Sequence, residues 1–159
     1  MAAGSTYTPI ATNTLGSNTA TVTFNSFSGY TDLMLIVTGK ISTGFALLRF
    51  NSDSGNNYFR TYLGGDGSSA YSSRNSNVSS NYISLDSTTV ATAINQIMNY
   101  SNATTYKTVL ARESATGQAQ AQISLWRNTA AITQIDITAG SAGTLTAGST
   151  FTLYGILAA

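Results

Sequence analysis

The chain has 159 residues, no cysteine and no histidine, and only 8 % of its residues are charged, with a formal net charge of +1. Without cysteine there are no disulfides, no thiol catalysis and no thiolate metal sites; without histidine the usual general base and the commonest metal ligand are gone. The 7 Lys and Arg residues are scattered from Lys40 to Arg127 and cannot form the clustered basic footprint that nucleic-acid binding requires.

By length the chain is one domain, residues 1–159, able to bury roughly 70 % of its unfolded surface without staples. The opening "MAAGSTYTPI" has neither a basic nor an apolar region of a secretory signal. The longest aliphatic run, "LMLIV" at 33–37, is far short of the roughly 20 residues that span a bilayer, so no membrane partner is expected. Polarity comes from Thr, Ser and Asn, with 14 Gly and 1 Pro, a bias toward strands and turns. The 42 % hydrophobic and 10 % aromatic content, with period-two alternation, speaks against disorder.

In chain order, "TATVTFN" (19–25) alternates Val22 and Phe24 against Thr21 and Thr23, the pattern of a half-buried strand. "SFSGYTD" turns into "LMLIVTG" (33–39), whose unbroken apolar run predicts burial on both faces. "FALLRFN" (45–51) and "NYFRTYL" (57–63) flank "SDSGN", a turn that predicts a hairpin. Residues 64–80 hold one aliphatic side chain and no usable period, and are expected to form a long loop. "NYISL" (81–85) is the next strand. Over 87–101 two periods compete: Val90, Ala93, Ile94, Ile97 and Met98 would line a helix face capped by Ser87, whereas Ile94, Met98 and Tyr100 would share a strand face. Strand is preferred for 93–100, because the Asn and Ser cluster after it predicts a turn into "TYKTVLAR" (105–112). Strands at 120–128, 131–138 and 150–157 complete eight to ten in all, which points to an all-β, antiparallel β-sandwich of the jelly-roll kind.

The segments 29–37 ("GYTDLMLIV"), 98–112, 125–133 ("LWRNTAAIT") and 147–156 ("AGSTFTLYGI") resemble small virion structural proteins and tail-appendage domains of tailed bacteriophages, particularly those of aquatic bacteria; the likeness runs over residues 8–157. The resemblance rests on strands and turns rather than on reacting groups. It implies a non-enzymatic, trimeric β-sandwich on the virion surface, with other virion proteins (major capsid or tail) or a host surface glycan as partners and no cofactor.

Edge strands are usually blunted by Lys, Pro or inward charge, and this chain has two Lys and one Pro, so its edges are expected to be covered by other subunits. In the terminal strand Phe151 and Leu153 face one side, Tyr154 and Ile156 the other; Phe151, Tyr154 and Ile156 are therefore candidate assembly residues. Arg49, Arg60, Arg112 and Arg127 lie inside strand patterns, either on solvated faces or paired with Asp32, Asp86, Asp136 or Glu113.

For chemistry, Asp53 in "NSDSGNN" and Asp66 in "GGDGSS" have the look of calcium-loop fragments, but no glutamate follows at the required spacing, and Asx-turn capping is the better reading. "GGDG" lacks the Lys and helix of a phosphate loop. Glu113, the sole glutamate, has no partner carboxylate in view for glycoside hydrolysis, so no catalytic residue is assigned. Aromatic side chains remain: Tyr58, Tyr62 and Tyr71 around the expected loop are candidate receptor contacts, and Trp126 is core, interface or ligand platform. Two functions are carried forward, capsid decoration and a tail-borne adhesin for a host glycan. Decoration is favoured because strand sequence starts soon after Met1, without a stalk or anchoring helix.

Overall fold

A computed structural model describes residues 6–157; the first five residues and the last two lie outside the described residues. Twelve strands follow one another: β1 (Tyr7–Thr14), β2 (Thr21–Asn25), β3 (Asp32–Gly39), β4 (Ala46–Phe50), β5 (Tyr58–Gly65), β6 (Ala70–Val78), β7 (Asn81–Ile83), β8 (Ala91–Ile97), β9 (Lys107–Ala115), β10 (Gln118–Trp126), β11 (Gln134–Ala139) and β12 (Thr150–Ile156). No helix occurs among the described residues. An eight-stranded sheet, β1-β12-β3-β8-β9-β10-β5-β6, packs on a four-stranded one, β2-β11-β4-β7, and all their ladders are antiparallel. The expected all-β sandwich is the fold. The chain passes repeatedly between the sheets, and residues of β12, β3, β8, β9, β10 and β5 on one side and of β2, β11, β4 and β7 on the other close a single core. Alternate residues of the facing strands, among them Leu33, Leu35, Leu48, Phe50, Ile137, Phe151 and Leu153, are withdrawn from water into one hydrophobic cluster between the sheets.

Within 87–101 the strand is β8, Ala91–Ile97, and not a helix; Met98 and Tyr100, expected on the strand face, lie in the turn that follows it. β8 pairs β9 from Thr92↔Ser114 to Ile97↔Val109, and the turn between them is tied by Asn102 Oδ1, which accepts from Thr104 N at 2.7 Å and Thr105 N at 2.9 Å. Extended backbone wins over the helical period because both neighbours, β3 and β9, satisfy its ladder.

Two expectations are overturned. Residues 45–51 and 57–63 are not a hairpin: β4 belongs to the small sheet and β5 to the large one. Asn51 (φ 52°) and Ser52 (φ 55°) are consecutive left-handed residues that turn the chain out of β4, and the core then holds the crossing. Phe50 N donates to the Tyr58 hydroxyl at 3.0 Å, and that hydroxyl donates to Asp53 O at 3.2 Å. Nor are residues 64–80 a loop. β5 and β6 form a hairpin from Tyr58↔Val78 to Gly65↔Ala70, closed by Asp66 Oδ1 accepting from Ser68 N and Ser69 N at 2.8 and 2.7 Å, with Gly67 at φ 85°. β6 is one of the two edge strands of the large sheet, and no residue of it is buried. With no buried face it carries no apolar alternation for a reader to find.

The terminal strand β12 lies inside the large sheet, paired with β1 on one side and β3 on the other. Phe151 and Leu153 are fully buried. Tyr154 and Ile156 face outward and are half-buried. Pro9, the one proline, sits at the register shift of edge strand β1, where its missing N–H costs no ladder bond.

Candidate functional site

The eight-stranded sheet has twice the strands of its partner, and at its β10-β5-β6 end burial runs out: β6 has no buried residue, and β5 and β10 are buried only toward Tyr58 and Trp126. Along the inner face of β10 the side chains run from the buried Trp126 through Ser124 to Gln122, Gln120 and Gln118; along β5 they run from Tyr58 through Arg60 to Tyr62. The apolar core thus gives way to polar groups where the small sheet stops. The result is an open cleft of about 380 Å³, lined on the large sheet by Arg60, Tyr62, Tyr71, Asn75 and the three glutamines, and on the opposite side by Phe45, Tyr82, Ser84, Leu85 and Asp86.

Two aromatic pairs stand in this cleft. Tyr62 and Tyr71 meet edge to face with centroids 6.3 Å apart; Phe45 stacks on Tyr82 at 5.3 Å and 13°, with Phe45 itself 52 % exposed. Tyr71 lies across Gly64, where a Cβ would stand 2.6 Å from its hydroxyl and 2.8 Å from Ala119 O, so a side chain at this position would displace the tyrosine. The Tyr71 hydroxyl donates to Gln118 Oε1 at 2.9 Å.

Arg60 is 5 % exposed, and burial lowers its pKa. Its guanidinium carbon lies 3.1 Å from the Tyr82 ring centroid, and its Nε donates to Asn75 Oδ1 at 3.0 Å; Nη1 has no hydrogen-bond partner. Behind Gln120, Glu113 is also 5 % exposed. Its Oε2 accepts from Gln120 Nε2 at 2.6 Å, and burial pushes its carboxyl pKa above the usual range. Gln122 Nε2 donates to Tyr82 O at 3.1 Å, tying the large sheet to the rim of the small one. At that rim the Thr88 hydroxyl and the Thr88 and Thr89 amides all donate to Asp86 and hold its pKa well below the usual range.

The raised pKa of Glu113 makes a pH prediction. Above the ordinary value of 4.5, the unfolded chain gives up a proton that the folded chain still holds, so stability falls as pH rises from there through the folded pKa. Glu113→Gln is expected to flatten that decline. Urea midpoints of the two proteins at several pH values between 4.5 and neutrality measure it, and parallel profiles would show that Glu113 contributes nothing to the pH dependence.

Of the aromatic residues singled out from sequence, Tyr62 and Tyr71 line the cleft. Tyr58 and Trp126 do not: they are 0 % and 1 % exposed and pack with Phe50 in the core. Trp126 Nε1 donates to Asp53 Oδ2 at 2.7 Å. Asp53 also accepts from Gly55 N at 2.8 Å and Asn57 Nδ2 at 2.9 Å. Burial alone would raise its pKa, but these bonds outweigh it and hold the carboxyl low. Asp53 and Asp66 both serve as turn acceptors, and no cluster suited to a metal ion occurs among the described residues. Of the candidate assembly residues, Phe151 belongs to the chain's own core. Among the arginines, Arg112 is solvated, Arg49 Nε donates to Ser79 O, and Arg127 Nη2 donates to Asn56 O and Asn77 Oδ1.

Sequence reasoning passed over the glutamines. "QAQAQ" at 118–122 is a period-two pattern with every amide on one face, and it was the available signal. No protein-family model, curated protein or solved structure matches the chain. Fold and site together define an all-β sandwich with an open, aromatic- and amide-lined cleft at the wide end of its larger sheet.

Proposed function

We propose that the protein is a non-enzymatic structural module displayed on the surface of a bacteriophage particle, with its jelly-roll sandwich assembled as a homotrimer. The phage setting comes from the resemblance of the strand and turn segments. The observation that carries the assembly is the outer face of the eight-stranded sheet. Ladder register places Tyr154, Met34, Gln96, Leu110 and Ile123 in one continuous row across five strands, and Ile36, Ile94, Arg112, Ala121 and Leu63 in the next. Ile123 is 57 % and Leu63 63 % exposed. Apart from Gln96 and Arg112 these rows are apolar, the composition that subunit interfaces use, and the single charge in them favours a second copy of the same near-neutral chain as the cover. Light scattering of the intact protein is expected to give a trimer, and Ile123→Lys a folded monomer with unchanged circular dichroism. A parent protein that is monomeric at micromolar concentration would overturn the assembly.

Capsid decoration and a tail-borne adhesin are both compatible with such a module. The cleft favours the adhesin, because decoration requires no ligand slot facing solvent. Electron microscopy of particles labelled with antibody against the protein tests this: label confined to the tail supports the adhesin, and label spread over the head supports decoration.

A further inference from the structure

We infer that the cleft beneath the overhanging β10-β5-β6 end binds an uncharged saccharide. This rests on the receptor-binding reading of the module and adds the class of ligand and the groups that recognise it. A sugar ring presents an apolar C–H face and a girdle of hydroxyls that both donate and accept. The cleft offers the complement. The Tyr62–Tyr71 pair and the Phe45–Tyr82 stack supply aromatic surface, and Phe45 has half its area open to solvent. Between them are side-chain amides: Gln120 Nε2 is committed to Ser84 Oγ and Glu113 Oε2, and Gln122 Nε2 to Tyr82 O, which leaves their carbonyls as acceptors. Gln118 spends its carbonyl on the Tyr71 hydroxyl, which leaves its NH₂ as a donor.

The charges decide between neutral and acidic sugars. Arg60 is nine-tenths buried, with the Tyr82 ring on its guanidinium and Asn75 Oδ1 on its Nε, so it is not presented as a cation for a free carboxylate. At the rim, Asp86 is held ionised by its three donors and repels one. A carboxylate-bearing sugar would be desolvated without a matching charge, whereas a neutral sugar meets only hydrogen-bonding groups. Few accessible charges also mean that binding should be insensitive to salt.

The experiment is an oligosaccharide array carrying galactose-, glucose-, mannose- and N-acetylhexosamine-terminated probes beside sialylated and uronic-acid probes, read with the intact full-length protein. Calorimetry on the best neutral probe follows, for the parent, Phe45→Ala and Tyr71→Ala. Neutral probes are expected to bind, with at least a tenfold loss of affinity in each variant and unchanged circular dichroism. Ile123→Lys, on the opposite face of the sheet, should keep the intrinsic affinity per chain. Binding confined to acidic probes, binding indifferent to the two cleft substitutions, or no binding on the array would each overturn the inference. Light scattering on the same samples separates this from failure of the assembly: a trimer that binds no sugar sinks the saccharide site alone, and a sugar-binding monomer sinks the trimer alone.

Discussion

Phe151→Ala is expected to unfold about 3–5 kcal/mol more easily than the parent, the usual cost of removing a large aromatic from a site that cannot collapse around the loss. Phe151 is 0 % exposed and lies in register with Val37 of β3 and Asn13 of β1, so stiff ladders on both sides hold the cavity open. The loss is a large share of the 5–15 kcal/mol that holds an ordinary domain together. Tyr154→Ala, three residues on but half-buried on the outer face, should cost much less in the isolated chain and more in the assembled one. Deleting residues 150–159 removes the strand that joins β1 to the sheet and bares a new edge on β3, and the product is expected to aggregate. Urea unfolding followed by Trp126 fluorescence checks the substitutions, since the single tryptophan is buried in the native state. A Phe151→Ala midpoint equal to that of the parent would show that the terminal strand is peripheral to stability.

Trp126→Ala should be comparably damaging, again about 3–5 kcal/mol, for two separable reasons. The indole packs on Phe50 at 5.7 Å and Tyr58 at 6.5 Å, and its Nε1 is one of the three donors that fix Asp53 in the turn between the sheets. Trp126→Phe keeps most of the packing and loses the donor. It is expected to cost about 1.5 kcal/mol, the low end for a bond to a charged group because Asp53 is partly solvated. The bonds to Asp53 depress its pKa, so their stabilisation is present above the unfolded value and fades as pH falls through the folded one. Trp126→Phe should therefore lose less at acid pH than at neutral pH. Thermal unfolding followed by circular dichroism at both pH values measures this, and a deficit that does not change with pH would assign the whole effect to packing.

Much of the site was open to reading and part of it was not. Tyr62 and Tyr71 were found from their place beside a polar stretch, and both line the cleft. Tyr58 sits four residues before Tyr62 with the same alternation, yet it is core, because the small sheet covers one end of β5 and not the other. No local pattern records where an opposing sheet ends. Lys107, one of three charged side chains in β9 with Arg112 and Glu113, would by composition be solvated; it is fully buried, with Nζ donating to the carbonyls of Thr105 and Thr129 at 2.7 and 3.1 Å.

The class of the fold, and the facing of side chains in the strands that alternate, are local properties of the chain. Period-two alternation in "TATVTFN", "FALLRFN" and "TFTLYGIL" is a property of neighbouring residues, and it sorts core from surface before any partner is known. The Asn and Asp turns were legible for the same reason, since each carboxamide or carboxylate caps amides two or three residues away. Which strands share a sheet is settled by long-range packing. A half-buried strand shows the same alternation in either layer, so pairing depends on partners far along the chain. The left-handed backbone at Asn51 and Ser52 that carries the chain across is held by distant contacts: Asn51 Nδ2 donates to Ala131 O, its Oδ1 accepts from Thr133 N, and the Ser52 hydroxyl donates to Asp136. The cleft follows from that choice of layers, because it lies where the burial of β5 and β10 runs out.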